Sequence, residues 1–401
     1  MPAPIPLEDA QARLLALAEP LPVESIACEN ALGRYLAEPL IARRTQPPCD
    51  LSAMDGYAVQ SGSLAGPWRL IGESAAGHPF AGQVGAGDAV RISTGAIMPG
   101  GTDAVVLQED VSHKDGEVTL TGEAPQPATR HVRARGLDFA DGSTLLAAGT
   151  RIGPAHIALA RSAGHNEIAA HCLPRLAVID SGDELAADAQ TCSEHQIPAS
   201  NSAMLAALVA QHLPCPATRF GPVPDQLEAL VAAFQANADA DVIVTSGGAS
   251  VGDHDLIRPA LEAWGADIDF WRVAIKPGKP ILVARKGAQI IIGLPGNPVS
   301  GFVTAFLFLL PLLRRLAGAV HCLPATFHVP LAAPLGACGK RREFLRAHWD
   351  GRTVSAQRVQ DSSALASLAA SNVLIDRPAG APAMAAAELV PVYLLGNGGM
   401  A

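Results

Sequence analysis

The chain has 401 residues, of which 49% are hydrophobic and 17% charged, and this balance is typical of a globular protein with ample material for buried cores. A chain of this length predicts two to four domains. Its formal net charge of −9 argues against a general nucleic-acid binder, since such proteins need a basic surface to displace phosphate counterions.

Neither the start of the chain nor its apolar runs indicate export or a membrane span. Residues 1–6 contain no basic segment followed by an apolar one. The strongest apolar run, residues 299–313, is shorter than a bilayer span and contains Pro311, which favours a buried helix. The seven cysteines form no Cys-x-x-Cys pair, so neither a zinc site nor a disulfide framework is predicted. We therefore expect a cytoplasmic protein with no membrane partner.

The first part of the chain predicts a helical domain that a β-rich domain interrupts. Leucines among alanines predict a helix over residues 7–17, and shorter helical pieces are expected over 31–36 and 152–163. Between them, short apolar runs are broken by glycine and proline every few residues, a pattern typical of β-structure. The expected domains are residues 1–44 with 150–174, helical, and residues 45–149, inserted and β-rich.

From residue 175 to 318, apolar strands alternate with amphipathic helices, which predicts an α/β domain with a parallel sheet covered on both faces. After residue 324 short strands and turns return, and a small β-barrel-like domain is expected over 324–401. The fold class predicted is therefore multidomain α/β. In the α/β domain we expect strands over residues 176–179, 218–220, 241–245 and 289–293, and helices over 202–212, 226–234 and 256–264.

Polar residues follow the strand predicted over residues 241–245. It runs into Ser246, Gly247, Gly248 and Ser250, where glycines let the backbone approach a bulky ligand and hydroxyls and amides can hold a phosphate. A lone Gly-Gly would more often be a plain strand-to-helix turn.

Two neighbouring motifs strengthen the prediction of an anion site. Lys276 and Lys279 flank a rigid Pro-Gly turn and can hold two cations near one anion. Asn297 and Pro298 are placed as the N-cap and first residue of a helix, so its positive dipole end faces outward. Taken singly, such lysines are usually solvated and such a proline-glycine segment is usually a turn.

Carboxylates also follow these strands. Asp183 and Glu184 come after the first strand of the domain, and Asp253 and Asp255 after the third. Acidic groups beside an anion site are suited to Mg²⁺, which prefers a few carboxylates together with phosphate oxygens. The alternative is capping of helix N-termini, which stays open for Asp183 and Asp253.

Two motifs lie outside this sheet. Asp55 precedes Gly56 among small residues, where it is poorly suited to core packing, and Ser93 and Thr94 place hydroxyls beside Gly95. Without context, both motifs would be ordinary β-turns.

Segments in this order along residues 7–392 resemble the signature segments of the MoeA and gephyrin E-domain family. They are Ser52-Ala-Met-Asp-Gly-Tyr-Ala, Arg91-Ile-Ser-Thr-Gly-Ala, Gly101-Thr-Asp-Ala-Val-Val-Leu-Gln-Glu, Arg133-Ala-Arg-Gly-Leu-Asp, Ser181-Gly-Asp-Glu-Leu, Ser246-Gly-Gly-Ala-Ser-Val-Gly, Lys276-Pro-Gly-Lys-Pro, Gly293-Leu-Pro-Gly-Asn-Pro-Val-Ser, Lys340-Arg-Arg-Glu-Phe-Leu-Arg and Gln360-Asp-Ser-Ser-Ala-Leu.

The resemblance implies a homodimeric molybdopterin molybdenumtransferase whose α/β domain binds molybdopterin. Adenylated molybdopterin and molybdate would be its substrates, molybdenum cofactor and AMP its products, and Mg²⁺ its metal. A molybdopterin adenylyltransferase and molybdoenzyme chaperones are expected partners. The implied catalytic residues are Asp55, Thr94, Glu184, Asp255, Lys276 and Lys279, with Glu184, Asp255 and Asp55 holding the metal. The implied binding residues are Asp138, Asp225, Ser246, Gly247, Gly248, Ser250, Arg272, Pro295, Gly296, Asn297, Pro298, Ser300 and Ser362.

The sequence departs from the family pattern at three places. Asp225 stands where the family more often has two adjacent aspartates. Arg272 replaces a common lysine, and the two are not equivalent toward an oxyanion. Ser362 follows Asp361, where the family usually has Gly-Ser-Gly.

Two rival functions are a scaffold for other proteins, as in gephyrin, and the related adenylyltransferase. Asp55, Thr94 and the additional domains favour the transferase over the adenylyltransferase. The chain has no fused second domain or long linker, which disfavours the scaffold. The sequence leaves open whether molybdate or tungstate is preferred.

Overall fold

The computed structural model describes residues 4–247, 256–278 and 280–396. The predicted site residues Gly248, Ser250, Asp255 and Lys279 lie outside the described residues, as does Asp253.

The N-terminal helix, Leu7–Ala16, packs against the α/β domain. Its buried residues Leu7, Ala10 and Leu14 recur at helical spacing and join the largest hydrophobic core of the chain. Gln11 fastens it further, since its Nε2 donates to the carbonyl of Leu307 at 2.8 Å. The predicted helix is therefore confirmed.

The helical piece predicted over residues 31–36 is wrong. A 3₁₀ turn, Cys28–Asn30, comes just before it, and Gly33 has a φ of +78°, which a right-handed helix does not allow. Tyr35 and Leu36 instead form β-bridges with Arg151 and Ala170. The helix expected after residue 152 is confirmed as Pro154–Ser162. Strand pairs complete this part: Val23–Ala27 with Glu167–His171, and Leu40–Ile41 with Thr144–Leu146.

The inserted region is built on a six-stranded sheet, as its glycine-broken pattern predicts. Neighbouring strands in this sheet are antiparallel except for one parallel pair, Trp68–Ser74 with Asp88–Ile92. In sheet order the strands are Ala104–Leu107, Gly56–Val59, Asp88–Ile92, Trp68–Ser74, Glu117–Leu120 and Val111–Lys114. Beside the sheet lie a strand pair, Leu51–Ser52 with Val132–Arg133, and 3₁₀ turns at Ser61–Ser63, Gln108–Asp110 and Ala128–His131.

A second six-stranded sheet forms the α/β domain, and its parallel part is confirmed. Ala217–Val223, Leu176–Ser181, Val242–Ser246 and Gln289–Leu294 are adjacent and parallel. Two antiparallel strands that the sequence patterns did not predict, Pro280–Lys286 and Asp267–Arg272, extend this sheet. The last is an edge strand that alternates charged and apolar residues, unlike the continuous apolar runs of the parallel strands.

Helices cover both faces of this sheet. Leu176 and Val178 face one hydrophobic core, and Ala177 and Ile179 face the other, as the two-residue period of a strand requires. The covering helices are Asn201–His212, Leu227–Ala236, Ile257–Trp264 and Pro298–Leu316.

The helix Pro298–Leu316, called here the Pro298 helix, confirms the prediction of a buried helix. Length and composition alone would let it cross a membrane, but 89% of its apolar window is buried inside the protein. It includes a π-helical turn, Ala305–Leu309, just before Pro311. Proline lacks an N–H and disturbs the preceding turn, which accounts for the local change in winding.

The C-terminal region forms a barrel-like sheet, as expected. Thr326–Pro330, Leu389–Leu394, Val373–Arg377, Arg342–Trp349 and Val354–Ala356 pair in that order. A bridge between Leu331 and Val354 closes the ring, and the N–H of Ala332 donates to Val354 at 2.9 Å. A short helix, Leu365–Ala369, follows the fifth strand in the order given. The multidomain α/β fold class is thus confirmed.

Candidate functional site

The carboxyl ends of three parallel strands meet at one edge of the α/β sheet. Asp180 is in register with Ser246, and Ser246 with Leu294. Beyond these residues the N–H of Gly247 donates to the carbonyl of Leu294 at 3.1 Å. Such an edge is where ligands bind in open α/β sheets. The segments predicted to bind anions after these strands therefore lie side by side.

Two glycines open this edge to a ligand. Gly247 has a φ of +111°, and a side chain at Gly296 would lie 3.6 Å from its Cα. A Cβ at Gly296 would make an ordinary van der Waals contact with the neighbouring backbone, whereas the positive φ of Gly247 favours glycine there. Ser246 is buried below, while Gly296 is exposed.

Asn201, which no sequence motif indicated as a site residue, joins the two segments. Its Nδ2 donates to Oγ of Ser246 at 2.8 Å and to the carbonyl of Gly296 at 2.7 Å. Asn201 begins the helix Asn201–His212, and the buried carboxylate of Asp180 accepts the N–H of Ser202 at 3.1 Å. An asparagine at a helix start is usually assigned to capping, so its residue type gave no signal of this second role.

The exposed carboxylates lie beside this edge. The N–H of Asp225 donates to Oδ1 of Asp183 at 3.1 Å, and the N–H of Gly182 to the carbonyl of Val223 at 3.0 Å, which joins the loops after two neighbouring strands. Asp183 thus accepts a backbone N–H of the loop just before the helix Leu227–Ala236. This role resembles the helix capping that the sequence left open for Asp183. The Glu184 side chain folds back over Gly182, where a Cβ would lie 2.3 Å from its Oε2. Among the described residues, no group of three His, Cys, Asp or Glu side chains could hold a metal.

Lys276 lies against a carboxylate that the sequence analysis did not include. Its Nζ is 3.3 Å from Oε1 of Glu343, and its side chain remains half exposed. The contact follows from the fold, because Ile275–Lys276 pairs in parallel with the start of the C-terminal strand Arg342–Trp349. Arg272 lies opposite Pro280 in the α/β sheet, and Pro280 follows the Pro-Gly turn that begins after Lys276.

The turn after Lys276 rests on the Pro298 helix. Gly278 has a φ of +102°, and a Cβ there would lie 2.4 Å from Oγ1 of Thr304. The hydroxyl of Thr304 is buried and has no hydrogen-bond partner in the described part of the chain. Ser300, also buried, has its carbonyl 3.5 Å from the same Cβ position. Only glycine fits this turn.

Asn297 is the N-cap of the Pro298 helix by position, but its side chain caps no backbone N–H. Its Nδ2 instead donates to Oγ of Ser362 at 3.2 Å, and the N–H of Val299 donates to the carbonyl of Ser362 at 3.2 Å. The predicted positions of Asn297 as N-cap and Pro298 as first helical residue are confirmed, although the Asn297 side chain binds the C-terminal region instead of the helix. Pro295 and Pro298 are half-buried on either side of this contact.

Arg346 holds the loop that carries Ser362. It is fully buried, and its Nη2 donates to the carbonyls of Val359 and Asp361 at 3.2 and 2.9 Å. Burial lowers the pKa of Arg346. The Lys340-Arg-Arg-Glu-Phe-Leu-Arg segment resembles a family segment, but no sequence pattern predicts that Arg346 positions Ser362.

Asp55 and Thr94 form a pair in the β-rich region. Oδ1 of Asp55 accepts the N–H of Thr94 at 2.6 Å and its hydroxyl at 3.0 Å. These two bonds, the backbone one first, lower the pKa of Asp55, which is exposed. A side chain at Gly56 would meet the carbonyl of Val106 at 2.1 Å, which accounts for the glycine. Asp138 is also exposed.

No hydrogen bond or ion pair within the described residues joins Asp55 or Thr94 to the strand ends. The candidate residues of one chain therefore fall into two parts, one at the strand ends and one in the β-rich region. The strand-end part offers glycine backbone, a helix N-terminus and a lysine to an anion. The β-rich part offers an ionised carboxylate.

Three family profiles match the chain in order. They are the MoeA N-terminal region (domain I and II) over residues 5–164, a probable molybdopterin binding domain over residues 177–315, and the MoeA C-terminal region (domain IV) over residues 328–395.

Curated relatives extend this similarity over most of the chain. A molybdopterin molybdenumtransferase of Haemophilus influenzae is 36% identical over 317 residues, which are 78% of this chain and 78% of that protein. One of Staphylococcus aureus is 29% identical over 403 residues, covering 98% and 96% of the two chains.

Solved structures agree with the fold. Two of molybdopterin biosynthesis MoeA proteins from Pyrococcus horikoshii match with TM-scores of 0.80 and 0.82 at 29% and 24% identity. They cover 98% of this chain and 99% and 100% of the solved chains.

Proposed function

The chain belongs to the MoeA family of molybdopterin molybdenumtransferases, and from this premise we propose that it inserts molybdate into adenylated molybdopterin with release of AMP. This reaction yields molybdenum cofactor. The observation that carries the proposal is the meeting of Gly247, Gly296 and the start of the Pro298 helix at one sheet edge. That edge supplies backbone amides and a helix dipole to a phosphorylated substrate.

The residues at the strand ends would promote the reaction mainly through their charges and dipoles. Molybdate and the phosphates of the substrate are anions that repel each other, so bringing them together requires positive charge. Lys276 directly precedes the Pro-Gly turn and Arg272 lies opposite Pro280, while Gly278 of the turn packs on the first turns of the Pro298 helix. Fixed charges and dipoles of this kind stabilise an anionic transition state without reorganising. Lys279 and Asp255 are assigned to the same site.

Mg²⁺ fits the donor chemistry of this edge. Glu184, Asp183 and Asp225 are exposed carboxylates after adjacent strands, and oxygen donors that leave room for substrate phosphates are those that Mg²⁺ prefers. We assign its ligands to Glu184, Asp255 and Asp55 of a second subunit. When bound, the ion would neutralise phosphate charge and favour departure of AMP.

The two parts of the site support a homodimer. Asp55 and Thr94 are exposed, and no hydrogen bond or ion pair in the described residues joins them to the strand ends of their own chain. In a two-fold dimer each chain would place its Asp55 over the strand ends of the other, because such an interface is reciprocal. The lowered pKa of Asp55 keeps its carboxylate charged, which suits this role.

A cytoplasmic location and transient contact with other proteins complete the proposal. The substrate is adenylated, so an adenylyltransferase must supply it, and chaperones of molybdoenzymes are the expected receivers of the product. The choice between molybdate and tungstate is tested by offering both.

Release of AMP tests the function. The purified protein is incubated with adenylated molybdopterin, Mg²⁺ and molybdate, and AMP is measured by chromatography. AMP formation that depends on molybdate is expected, and a chelator should slow it. No AMP from a folded protein would contradict the transferase, whereas synthesis of adenylated molybdopterin from ATP would indicate an adenylyltransferase.

Subunit complementation tests the shared site. Asp55→Ala and Glu184→Ala chains, each inactive, are mixed after dissociation and reassociation. If the site is shared, one site of each heterodimer carries both lesions and the other is intact, so activity returns. Heterodimers verified by mass spectrometry that stay inactive would mean that each chain builds its own site.

A further inference from the structure

A cavity of about 560 Å³ lies between the helical N-terminal region and the far end of the Pro298 helix. Its polar walls are the side chains of Tyr35, Thr150, Arg151, Arg314 and His321. None of the described residues that line it is an aspartate or glutamate. The cavity thus combines largely apolar walls with several hydrogen-bond donors and at least two positive charges.

Each of the two arginines that line the cavity donates one hydrogen bond to a backbone carbonyl in the described part of the chain. Nη2 of Arg151 donates to the carbonyl of His212 at 2.7 Å, and Nη1 of Arg314 to the carbonyl of Cys322 at 3.2 Å. A guanidinium has five N–H donors, so each retains several. Neither arginine has a carboxylate partner in the described part of the chain.

Backbone pairing and a helix end hold Arg151 and Arg314 in place. Arg151 and Tyr35 are opposite each other in a backbone bridge, and Arg314 comes from the last turn of the Pro298 helix. Gly149 packs so tightly on Val320 that a Cβ there would approach Cγ2 at 2.4 Å. The walls of the cavity are therefore fixed by backbone pairing and close packing.

The electrostatic environment is unbalanced. Burial first, then Arg151, lowers the pKa of Arg314, although Tyr35 acts in the opposite direction. Burial, Arg314 and Arg151 lower the pKa of His212 to about 4. Arg314 is half-buried, whereas Arg151 is exposed at the mouth of the cavity. Like charges brought together there cost free energy, which a bound anion would recover.

We propose that this cavity binds a tetrahedral oxyanion, held by the guanidinium groups of Arg151 and Arg314 and the hydroxyl of Tyr35. Guanidinium groups bind phosphate-like oxygens in pairs, with charge-assisted hydrogen bonds. The simpler role for Arg314 is to complement the negative end of its helix. Arg151 has a similar simpler role, since it donates to the carbonyl of His212 at the end of the helix Asn201–His212. That bond uses one N–H of its guanidinium group and leaves others for an anion.

The cavity is separate from the strand-end site. Arg314 follows Pro298 by sixteen residues on one helix, so at about 1.5 Å per residue the two lie roughly 24 Å apart. The inference therefore does not depend on the proposed transferase activity. The ligand is either a free oxyanion such as phosphate or molybdate, or a phosphate monoester such as AMP.

Calorimetric titration of the full-length protein tests the proposal. Phosphate, molybdate and AMP are titrated separately at pH 7 and low ionic strength into the Lys276→Ala variant, in which the strand-end site is weakened. One saturable site per chain is expected. Arg151→Gln in that background should weaken binding at least tenfold and Tyr35→Phe severalfold. Arg285→Gln, which removes an exposed arginine elsewhere, should leave it unchanged.

The outcomes separate the cases. Tighter binding of AMP than of phosphate indicates a monoester, and equal or weaker binding a free oxyanion. The proposal is overturned by the absence of a saturable site, by Arg151→Gln binding within twofold of its background, or by an equal loss in Arg285→Gln. Arg314→Gln is added where circular dichroism shows that it folds, and Arg151→Gln decides if it does not.

Discussion

Asn297 donates a hydrogen bond from its Nδ2 to Oγ of Ser362 at 3.2 Å, which joins the start of the Pro298 helix to a loop of the C-terminal barrel. The barrel therefore takes part in building the strand-end site. Its second contribution is Glu343, which lies against Lys276. Both contacts cross between regions that are far apart in sequence.

Replacing Ser362 by alanine should weaken substrate binding only modestly. The variant loses one neutral hydrogen bond, worth about 0.5–1.5 kcal/mol, while the backbone bond from Val299 to residue 362 remains. We expect a raised KM with little change in kcat, measured by AMP release. Ser355→Ala, at an exposed strand position, is the control. A loss of kcat without a change in KM would assign Ser362 a role in the reaction itself.

Replacing Lys276 by alanine should weaken anion binding by about 1–3 kcal/mol, as expected for a charged hydrogen bond. Glu343→Gln should not weaken it, because the ammonium group would keep its charge and lose a competing partner. Molybdate and substrate binding are compared by equilibrium dialysis, with the exposed Lys114→Ala as control. Equal losses in the Lys276 and Glu343 variants would mean that the ion pair serves only to fix the fold.

Gly278→Ala should impair activity without unfolding the protein. Its Cβ would meet Oγ1 of Thr304 at 2.4 Å, so the turn between Lys276 and residue 279 must shift. Thr304→Ala removes that oxygen, and the double variant should recover part of the activity. The recovery is incomplete because alanine remains strained at a φ of +102°. A double variant no better than Gly278→Ala would place the damage in the backbone alone.

Sequence patterns predicted the parts of the site that lie after strands. Gly247 and Gly296 follow apolar runs whose parallel pairing could be inferred from the alternation of strands and helices, so their proximity could be inferred too. Asn201 and Glu343 could not be found in this way. Their contacts depend on where a helix start and a barrel strand pack, which short-range periodicity does not encode.

The helical piece expected over residues 31–36 shows the same limit at the level of the fold. Leucine and alanine favour a helix there, but Gly33 adopts positive φ and Tyr35 pairs with Arg151, more than a hundred residues away. Tertiary pairing outweighs local propensity. The edge strand Asp267–Arg272 was missed because its alternating charges lack the apolar run of its parallel neighbours.

Thr94→Ala should raise the pKa of Asp55 only part of the way to its ordinary value. The larger cause of the lowered pKa is the backbone N–H of Thr94, which alanine retains, and the smaller is the hydroxyl, which it loses. Carbon-13 NMR of the labelled carboxyl group measures this directly. A pKa unchanged by the substitution would show that the hydroxyl does not bind Asp55 in solution. Because the folded pKa is lowered, the carboxylate stays charged at every pH above the ordinary range.

His212 should make the helix Asn201–His212 less stable as the pH falls. Its Nε2 is buried without a partner in the described residues, and burial with Arg314 and Arg151 lowers its pKa from 6.5 to about 4. Between pH 6.5 and about pH 4, His212 is protonated in the unfolded chain but neutral in the folded chain, so falling pH favours unfolding. A shift of this size corresponds to at most about 3 kcal/mol, fully present above pH 6.5 and lost toward pH 4.

Hydrogen exchange of that helix in wild type and His212→Gln should therefore differ in pH dependence, the wild type losing protection relative to the variant as the pH is lowered from 7 to 5. The exposed His113→Gln serves as control. Parallel pH dependence in wild type and His212→Gln would mean that His212 is protonated in the folded protein near its ordinary pKa.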